Sequence, residues 1–276
     1  MSIRFTKMHG IGNDFVIIDA RSQPVDWSAE LAEQIADRHF GVGCDQLITI
    51  HAGTDGAAAR YRILNQDGSV AGQCGNGLRC VAAWLWRDNP ALPNPLLIDG
   101  DAGRMVCERL ADGRIRAAIG EPMFAPAQIP FMADEPAAHY LLELADGSID
   151  IGAVSMGNPH CLVVVPSVDQ APVATLGALL ERHPRFPDRV NVGFAEVVSR
   201  AAIRLRVFER GVGETLACGS GASAAVAILR QRDVVDATVG VDLPGGHLDI
   251  SWAGPGSTLL MSGPAQFVFD GIWNHD

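Results

Sequence analysis

Ala217-Cys218-Gly219-Ser220-Gly221-Ala222-Ser223-Ala224-Ala225-Val226-Ala227-Ile228-Leu229 opens with a cysteine and Gly-x-Gly and runs on as a small, apolar segment of helical length. The same design recurs in Cys74-Gly75-Asn76-Gly77-Leu78-Arg79-Cys80-Val81-Ala82-Ala83-Trp84-Leu85. Nine residues before each cysteine, a polar residue ends an alternating, strand-like run: Asn65 after Tyr61 and Ile63, and Glu209 after Ile203, Leu205 and Val207. Further upstream, Gly12-Asn13 and Gly157-Asn158 each lead into an apolar strand, and Gln46 and Asn191 form another matched pair. Positions that match at a spacing of about 144 or 145 residues indicate an internal duplication, which sets the fold before any single element does.

Both cysteine helices are apolar on nearly every face, through Leu78, Val81, Ala82 and Leu85 in one and Ala222, Ala225, Val226 and Leu229 in the other. Such a helix has to be surrounded. The expected class is therefore mixed α/β, of the α+β kind: two pseudo-symmetric domains, each a barrel-like, mostly antiparallel sheet wrapped around a central buried helix. The expected boundaries are residues 1–118 plus 264–276 for the domain carrying Cys74, and 119–263 for the domain carrying Cys218. Gly263-Pro264 mirrors the Gly120 to Pro122 exit of the first half, so the last strand, Ala265 to Phe269, is free to return to the first domain.

Other elements follow from period and turn chemistry. Ile3 to Asp19 reads as a hairpin turning at Gly10-Ile11-Gly12-Asn13-Asp14, which puts Asn13 at its tip. Trp27 to Phe40 has helical period, with Asp26 or Ser28 as N-cap. The Asp-Gly pairs at Asp112-Gly113 and Asp146-Gly147, and Pro244-Gly245-Gly246, mark further hairpins. Glu121 to Pro130 reads as a crossing between domains.

A length of 276 residues suffices for two domains that each bury a core. A net charge of −11 disfavours nucleic acid and anionic membrane as partners. A small-molecule substrate is the better expectation. The N-terminal stretch has no apolar h-region and no run of about 18 apolar residues occurs, so a cytoplasmic location is expected. The six cysteines lack the spacing of a disulfide scaffold or a zinc site, and no metal is expected. Cys44, Cys80, Cys107 and Cys161 read as buried core thiols.

Cys74 and Cys218 are different because each begins a helix. A thiol there faces the positive end of the helix dipole and several N–H groups, which stabilise its thiolate and would bring its pKa down toward neutrality. The N–H groups of Gly75, Asn76, Gly219 and Ser220 form an anion cradle suited to a carboxylate. Each half thus offers one acid/base thiol and half of a carboxylate site. If a pseudo-twofold axis faces the halves across a cleft, a carbon between them meets a base on one side and an acid on the other, as inversion of a stereocentre requires. Pyridoxal is not implied, because the only lysine is Lys7 and nothing around it suggests a Schiff base. No cofactor is expected. Glu209-Arg210 together with Asn65, Asn158 and Asn191 would hold an ammonium and a carboxylate together, more than one amino-acid head needs, which suggests a substrate with a second head. His160 reads equally well as a support to this set and as an ordinary loop histidine.

Over nearly its whole length the chain resembles the diaminopimelate epimerase family. The resemblance is carried by Met8-His9-Gly10-Ile11-Gly12-Asn13-Asp14-Phe15, Gly41 to Gln46, Asn65 to Gly68, Cys74-Gly75-Asn76-Gly77, Gly157-Asn158-Pro159-His160, Asn191-Val192, Glu209 to Thr215 and Ala217-Cys218-Gly219-Ser220-Gly221. It implies a pyridoxal-independent isomerase of lysine and peptidoglycan-precursor biosynthesis that interconverts LL- and meso-2,6-diaminopimelate. By the same resemblance Cys74 and Cys218 exchange the roles of acid and base. The substrate would be bound by Asn13, Gln46, Asn65, Asn158, Asn191, Glu209 and Arg210 and by the backbone at Gly75, Asn76, Gly219 and Ser220. A homodimer is implied too, although Phe269 stands where family members often carry a tyrosine linked to dimer contact, and Cys44 and Gln73 also depart from the commonest choices. The competing expectations are another pyridoxal-independent racemase of this architecture, acting on proline, hydroxyproline or histidine; a phenazine-pathway type of isomerase, disfavoured by the presence of both thiols; and a thiol redox or metal-binding module.

Overall fold

The computed structural model describes residues 2–23, 25, 27–72 and 74–274. Asp26, one of the two expected helix caps, and Gln73 lie outside them. The chain divides into two compact units, Met1–Ala118 with Ser262–Asp276, and Ile119–Met261.

In the first unit the order is β1 (Ser2–Gly10), β2 (Asn13–Asp19), α1 (Ala29–Ala36), β3 (Gln46–Ala52), β4 (Ala59–Asn65), β5 (Val70–Ala71), α2 (Gly75–Asp88), β6 (Leu96–Gly100), β7 (Gly103–Arg109) and β8 (Ile115–Gly120). In the second it is β9 (Tyr140–Leu144), β10 (Gly147–Ser155), β11 (Pro159–Val164), α3 (Val173–Glu181), β12 (Asn191–Ser199), β13 (Ala202–Glu209), β14 (Gly213–Thr215), α4 (Gly219–Gln231), β15 (Thr238–Leu243), β16 (Gly246–Ser251) and β17 (Leu259–Gly263). β18 (Gln266–Asn274) then pairs antiparallel with β1, from His9 opposite Gln266 to Ser2 opposite Asn274.

The duplication read from the sequence extends to strand register. β2 runs parallel to β3 with Phe15 opposite Gln46, and β11 runs parallel to β12 with His160 opposite Asn191. β4 pairs antiparallel with β5, Ile63 opposite Ala71, as β13 does with β14, Val207 opposite Thr215. The next strand pairs parallel in both, with β4–β6 matching Ala59 to Ile98 and β13–β15 matching Ile203 to Val241.

In each unit the inner parallel pair, β2–β3 and β11–β12, is buried on both faces, while outer strands such as β4 and β13 alternate between buried and more exposed residues. Val16, Ile18 and Leu47 point into a core with Leu31, Ala32, Ile35 and Ala36 of α1. Phe15 and Ile48, one residue out of phase, point the other way and pack on α2, where a Cβ added at Gly77 would lie 3.0 Å from Ile48 Cδ1 and 3.4 Å from Phe15 Cε1. In the second unit Val173 and Leu180 of α3 close a core with Cys161, Val163, Val192 and Phe194, while α4 is embraced by β10, β11, β12, β13 and β16. Every α4 residue from Gly221 to Leu229 is buried, as the absence of a polar face requires.

Two expected elements differ from those observed. α1 ends at Ala36 and does not reach Phe40, because Asp37 Oδ1 accepts the N–H groups of both His39 and Phe40 at 2.7 Å and turns the chain out of the helix. Its N-cap is Ser28, whose Oγ accepts from Leu31 N at 3.2 Å. The stretch from Glu121 to Pro130 is no free crossing. Met123 bridges Ser155, Ile129 and Phe131 are core residues, and the whole stretch belongs to the second unit. Cys44, Cys80, Cys107 and Cys161 are buried core thiols. Loss of solvation pushes the first three up to about 12 and Cys161 further in the same direction.

Candidate active site

In the first unit Cys74 is the N-cap of α2, in extended backbone (φ −138°, ψ 111°), and its half-buried sulfur accepts from Gly77 N at 3.4 Å. The first intrahelical bond runs from Leu78 N to the Cys74 carbonyl, so the N–H groups of Gly75 and Asn76 precede it and have no acceptor within the helix. Asn13 is delivered to the same place by the β1–β2 turn. Gly10 pairs with Asn13, and the two residues between them both have positive φ, 50° at Ile11 and 92° at Gly12, as a type I′ hairpin needs. Positive φ at a buried, β-branched isoleucine is strained and is held only by what surrounds it.

Asn13 Oδ1 receives Cys74 Sγ at 3.5 Å and Asn76 Nδ2 at 3.3 Å, so three expected residues form one cluster. Gln46 and Asn65, across the β3–β4 pair, form a second: Gln46 Nε2 donates to Asn65 Oδ1 at 3.0 Å, and Asn65 Nδ2 to Ser69 Oγ at 3.0 Å.

In the second unit Cys218 caps α4 with nearly the same backbone (φ −124°, ψ 102°). Ala222 N bonds the Cys218 carbonyl, leaving the N–H groups of Gly219 and Ser220 in the position of Gly75 and Asn76. A Cβ added at Gly221 would lie 3.0 Å from Val207 Cγ2 and 3.2 Å from Cys218 Sγ, so a larger residue there would press this helix start against β13. Cys218, Ser220, Asn158 and His160 form a chain of polar contacts: Sγ to Ser220 Oγ is 3.6 Å, Asn158 Nδ2 donates to Ser220 Oγ at 3.5 Å, and His160 Nε2 meets Asn158 Oδ1 at 3.0 Å. His160 lies within β11, 2% exposed, and is not a loop histidine. Desolvation, with the charge of Arg210, pushes its pKa down to about 3, so it is a neutral donor to the asparagine oxygen.

Asn191 is buried and committed to backbone: its Nδ2 donates to the Pro159 carbonyl at 3.0 Å, and its Oδ1 accepts Arg210 N at 3.0 Å. Arg210 Nη1 donates to the Asp188 carbonyl at 2.9 Å, and Glu209 Oε1 accepts from Thr215 Oγ1 at 2.5 Å. Glu181, buried and unmarked by the duplication, fastens the following turn by accepting Gly211 N at 3.0 Å.

The helix N-terminus does not bring the Cys218 thiol down as expected. Burial at 4% exposure and the nearby Glu209 carboxylate push it well above its ordinary value, outweighing the opposing bonds from Ser220 and Gly221 N. Two further polar residues stand behind the first cluster. Asp45 Oδ2 accepts Asn13 Nδ2 at 2.9 Å, and Arg79, 0% exposed, donates to Asn76 Oδ1 at 2.8 Å. The signal for Arg79 is visible in the sequence as the one charged residue in the apolar run from Leu78 to Trp86; Asp45 has no counterpart in the other half to mark it.

The family model for diaminopimelate epimerase matches residues 5–125 and 152–268. The chain is 56% identical over 274 residues to a diaminopimelate epimerase of Xanthomonas axonopodis pv. citri, covering 99% of this chain and 96% of that protein. It is 49% identical over 272 residues to that of Aromatoleum aromaticum, covering 98% of each. Among solved structures it superposes on a hydroxyproline epimerase from Agrobacterium vitis with a TM-score of 0.72 at 16% identity, covering 99% and 92% of the two chains. A PhzF-family phenazine biosynthesis protein from Bacillus anthracis gives 0.69 at 16% identity, with 99% of each covered. At such identities these two structures show a shared fold.

Proposed function

Because the chain belongs to the diaminopimelate epimerase family, we propose that it interconverts LL- and meso-2,6-diaminopimelate by two-base chemistry without a cofactor. The observation that carries the residue assignment is the repeated half-site: in each unit a cysteine caps a glycine-opened helix, with an asparagine from the preceding β-turn beside it.

Cys74 and Cys218 are the catalytic pair, one taking the α-proton and the other returning a proton to the same carbon, with roles reversed in the other direction. Loss of the α-proton throws charge onto the substrate carboxylate. The N–H groups of Gly75 and Asn76 at one helix start, and of Gly219 and Ser220 at the other, are the donors that would receive it, and each pair is held by its own helix. Asn13, Gln46, Asn65, Asn158, Asn191, Glu209 and Arg210 bind the rest of the substrate. Within that set Asn191 acts through the backbone, its amide holding the Pro159 carbonyl and Arg210 N.

Among the described residues no helix is long and apolar enough to cross a membrane. The enzyme is assigned to the cytoplasm, where diaminopimelate is used for lysine and peptidoglycan precursors. It is assigned as a homodimer, supported by the solvent-exposed apolar side chains of Phe267, Val268, Phe269 and Ile272 on β18. Phe269 packs edge-on against Phe5 at 5.7 Å and offers a partner an apolar ring in place of a hydroxyl.

The test follows deuterium from solvent into the α-position of LL-diaminopimelate by NMR. The reduced protein should invert the centre with label incorporation, and Cys74→Ser and Cys218→Ser should each lose about 10²- to 10⁴-fold in rate. Absence of exchange from this substrate, with exchange from proline, hydroxyproline or histidine, would replace the reading with that of another racemase.

A further inference from the structure

The side-chain amides of Asn13 and Asn76 lie in a line between two permanent charges. Asp45 Oδ2 accepts Asn13 Nδ2 at 2.9 Å; Asn13 Oδ1 accepts Asn76 Nδ2 at 3.3 Å; Asn76 Oδ1 accepts Arg79 Nη2 at 2.8 Å. A carboxylate can only accept and a guanidinium can only donate, so each end dictates which way its neighbouring amide is turned. The two dictates agree, and a line of hydrogen bonds that agree in direction is mutually reinforcing. The consequence falls on Cys74, to which Asn13 presents its oxygen at 3.5 Å.

Both charges are anchored away from the site. Asp45 Oδ1 accepts Arg38 Nη2 at 2.7 Å, and Arg38 is also paired with Asp14, which holds Lys7 at 2.5 Å. Asp45 Oδ2 also accepts the backbone N–H of Asp14 at 3.1 Å. Arg79 is enclosed, with Nη1 on the Gly75 carbonyl at 3.3 Å and Nε on the Pro264 carbonyl at 3.4 Å. Gly10 closes over it, since a Cβ there would lie 3.1 Å from Arg79 Nη2 and 3.2 Å from Asn76 Cβ.

We propose that Asp45 and Arg79 are positioning residues that lock the amides of Asn13 and Asn76 in one orientation, so that Cys74 faces the oxygen of Asn13. Neither touches the sulfur; both act through the asparagines. The proposal rests on the two-thiol reading for its catalytic consequence, while the orientation itself is read independently of turnover.

The experiment compares Asp45→Ala with Asp45→Asn. Alanine removes the acceptor and frees the Asn13 amide to turn its N–H toward the sulfur, which favours the thiolate. Asparagine removes the charge but keeps an oxygen for the Asp14 and Asn13 N–H groups, which both reach the same atom. Iodoacetamide alkylation of Cys74 and Cys218 is followed by mass spectrometry across pH, with steady-state kinetics and melting temperatures alongside. Titratable or charged groups that interact with Cys74 include Arg79 and Cys80 on α2 and Tyr61 on β4. Burial keeps Cys80 and Tyr61 protonated through the range used, and Arg79 stays charged. Asp45→Ala should move the Cys74 profile to lower pH, leave that of Cys218 in place and reduce kcat/KM by about 10- to 100-fold. Asp45→Asn should stay near the parent in both. Arg79→Lys, which keeps a donor-only cation, should likewise resemble the parent more than Arg79→Met does. Equal shifts in the alanine and asparagine variants would show that charge and not orientation is responsible and overturn the proposal, as would an unmoved Cys74 profile in Asp45→Ala. A parent protein that exchanges no deuterium into diaminopimelate while these profiles behave as stated would instead remove the epimerase reading.

Discussion

The half-sites around Cys74 and Cys218 share backbone to within a few residues of register and differ in almost every charge. Around Cys74 the asparagine from the β-turn points its oxygen at the helix start, bracketed by Asp45 and Arg79. Around Cys218 the matched asparagine is turned the other way: His160 meets its oxygen and its NH2 group donates to Ser220. The turns differ as well. Gly10 pairs directly with Asn13 across two residues, while Ser155 pairs with Pro159 across three. Duplication conserved the scaffold, meaning strand pairing, helix start and glycine contacts, because those carry the burial on which each unit depends. The polar atoms diverged, because an enzyme that meets two different stereoisomers gains nothing from two identical electrostatic faces.

The largest effect that separates the halves concerns β2 and β11, where Phe15 and His160 occupy matched positions. His160 is held neutral in the folded protein down to about pH 3, whereas in the unfolded chain it titrates near its ordinary value of 6.5. A lowered folded value means that the stabilising contribution is complete above about pH 6.5 and is lost as pH falls toward 3, because the unfolded chain then takes up a proton the folded one refuses. The slope is about 1.36 kcal/mol per pH unit in that window. Urea unfolding should therefore lose about 2–3 kcal/mol of stability between pH 6.5 and 4.5 on this account. His160→Gln, which keeps a donor for Asn158, should flatten that part of the curve. An equally steep curve in the variant would assign the acid lability elsewhere.

A smaller effect tests the electrostatic difference between the thiols. Burial and the Glu209 carboxylate raise the Cys218 pKa, whereas the sequence position matched to Glu209 in the other half holds the neutral Asn65. In Glu209→Gln the repulsion between carboxylate and thiolate is gone, so alkylation of Cys218 should begin at lower pH than in the parent, with the Cys74 profile as internal reference. A Cys218 profile that does not move would leave burial as the whole cause.

What the sequence made legible follows the same division. The two helices, their N-caps, the paired asparagines and the return of the last strand were readable because the duplication repeats them, and repetition distinguishes a pattern from chance. β6 and β17 are short strands between strong turn signals and leave little pattern in the sequence, and the apolar period of α1 continues past the Asp37 turn that ends the helix. Asp45 and Arg79 belong to one half alone, so no comparison within the chain could mark them. The Cys218 thiol differs from expectation for another reason: its sequence neighbours show the helix dipole, but its burial and the approach of Glu209 from the end of β13 are products of folding.

The finest distinction lies one turn inside the two helices, where Arg79 is matched by Ser223. Both are completely buried, but the arginine reaches two carbonyls and an amide oxygen while the serine hydroxyl has no hydrogen-bond partner. A buried polar group left unsatisfied costs about 1–3 kcal/mol. The helix interior also favours alanine over serine by a few tenths of a kcal/mol. Ser223→Ala removes the hydroxyl without creating a cavity of any size and should stabilise the protein by about 1 kcal/mol in urea unfolding. Arg79→Met, on the same turn of the other helix, should destabilise it, because the Gly75 and Pro264 carbonyls and Asn76 Oδ1 lose a donor in a place that water does not reach. Opposite signs at matched positions would show that the second half keeps a vacated polar position where the first still uses one. A loss of stability in Ser223→Ala would mean that the hydroxyl is satisfied in solution, and that the two helices are more alike in their interiors than their side chains indicate.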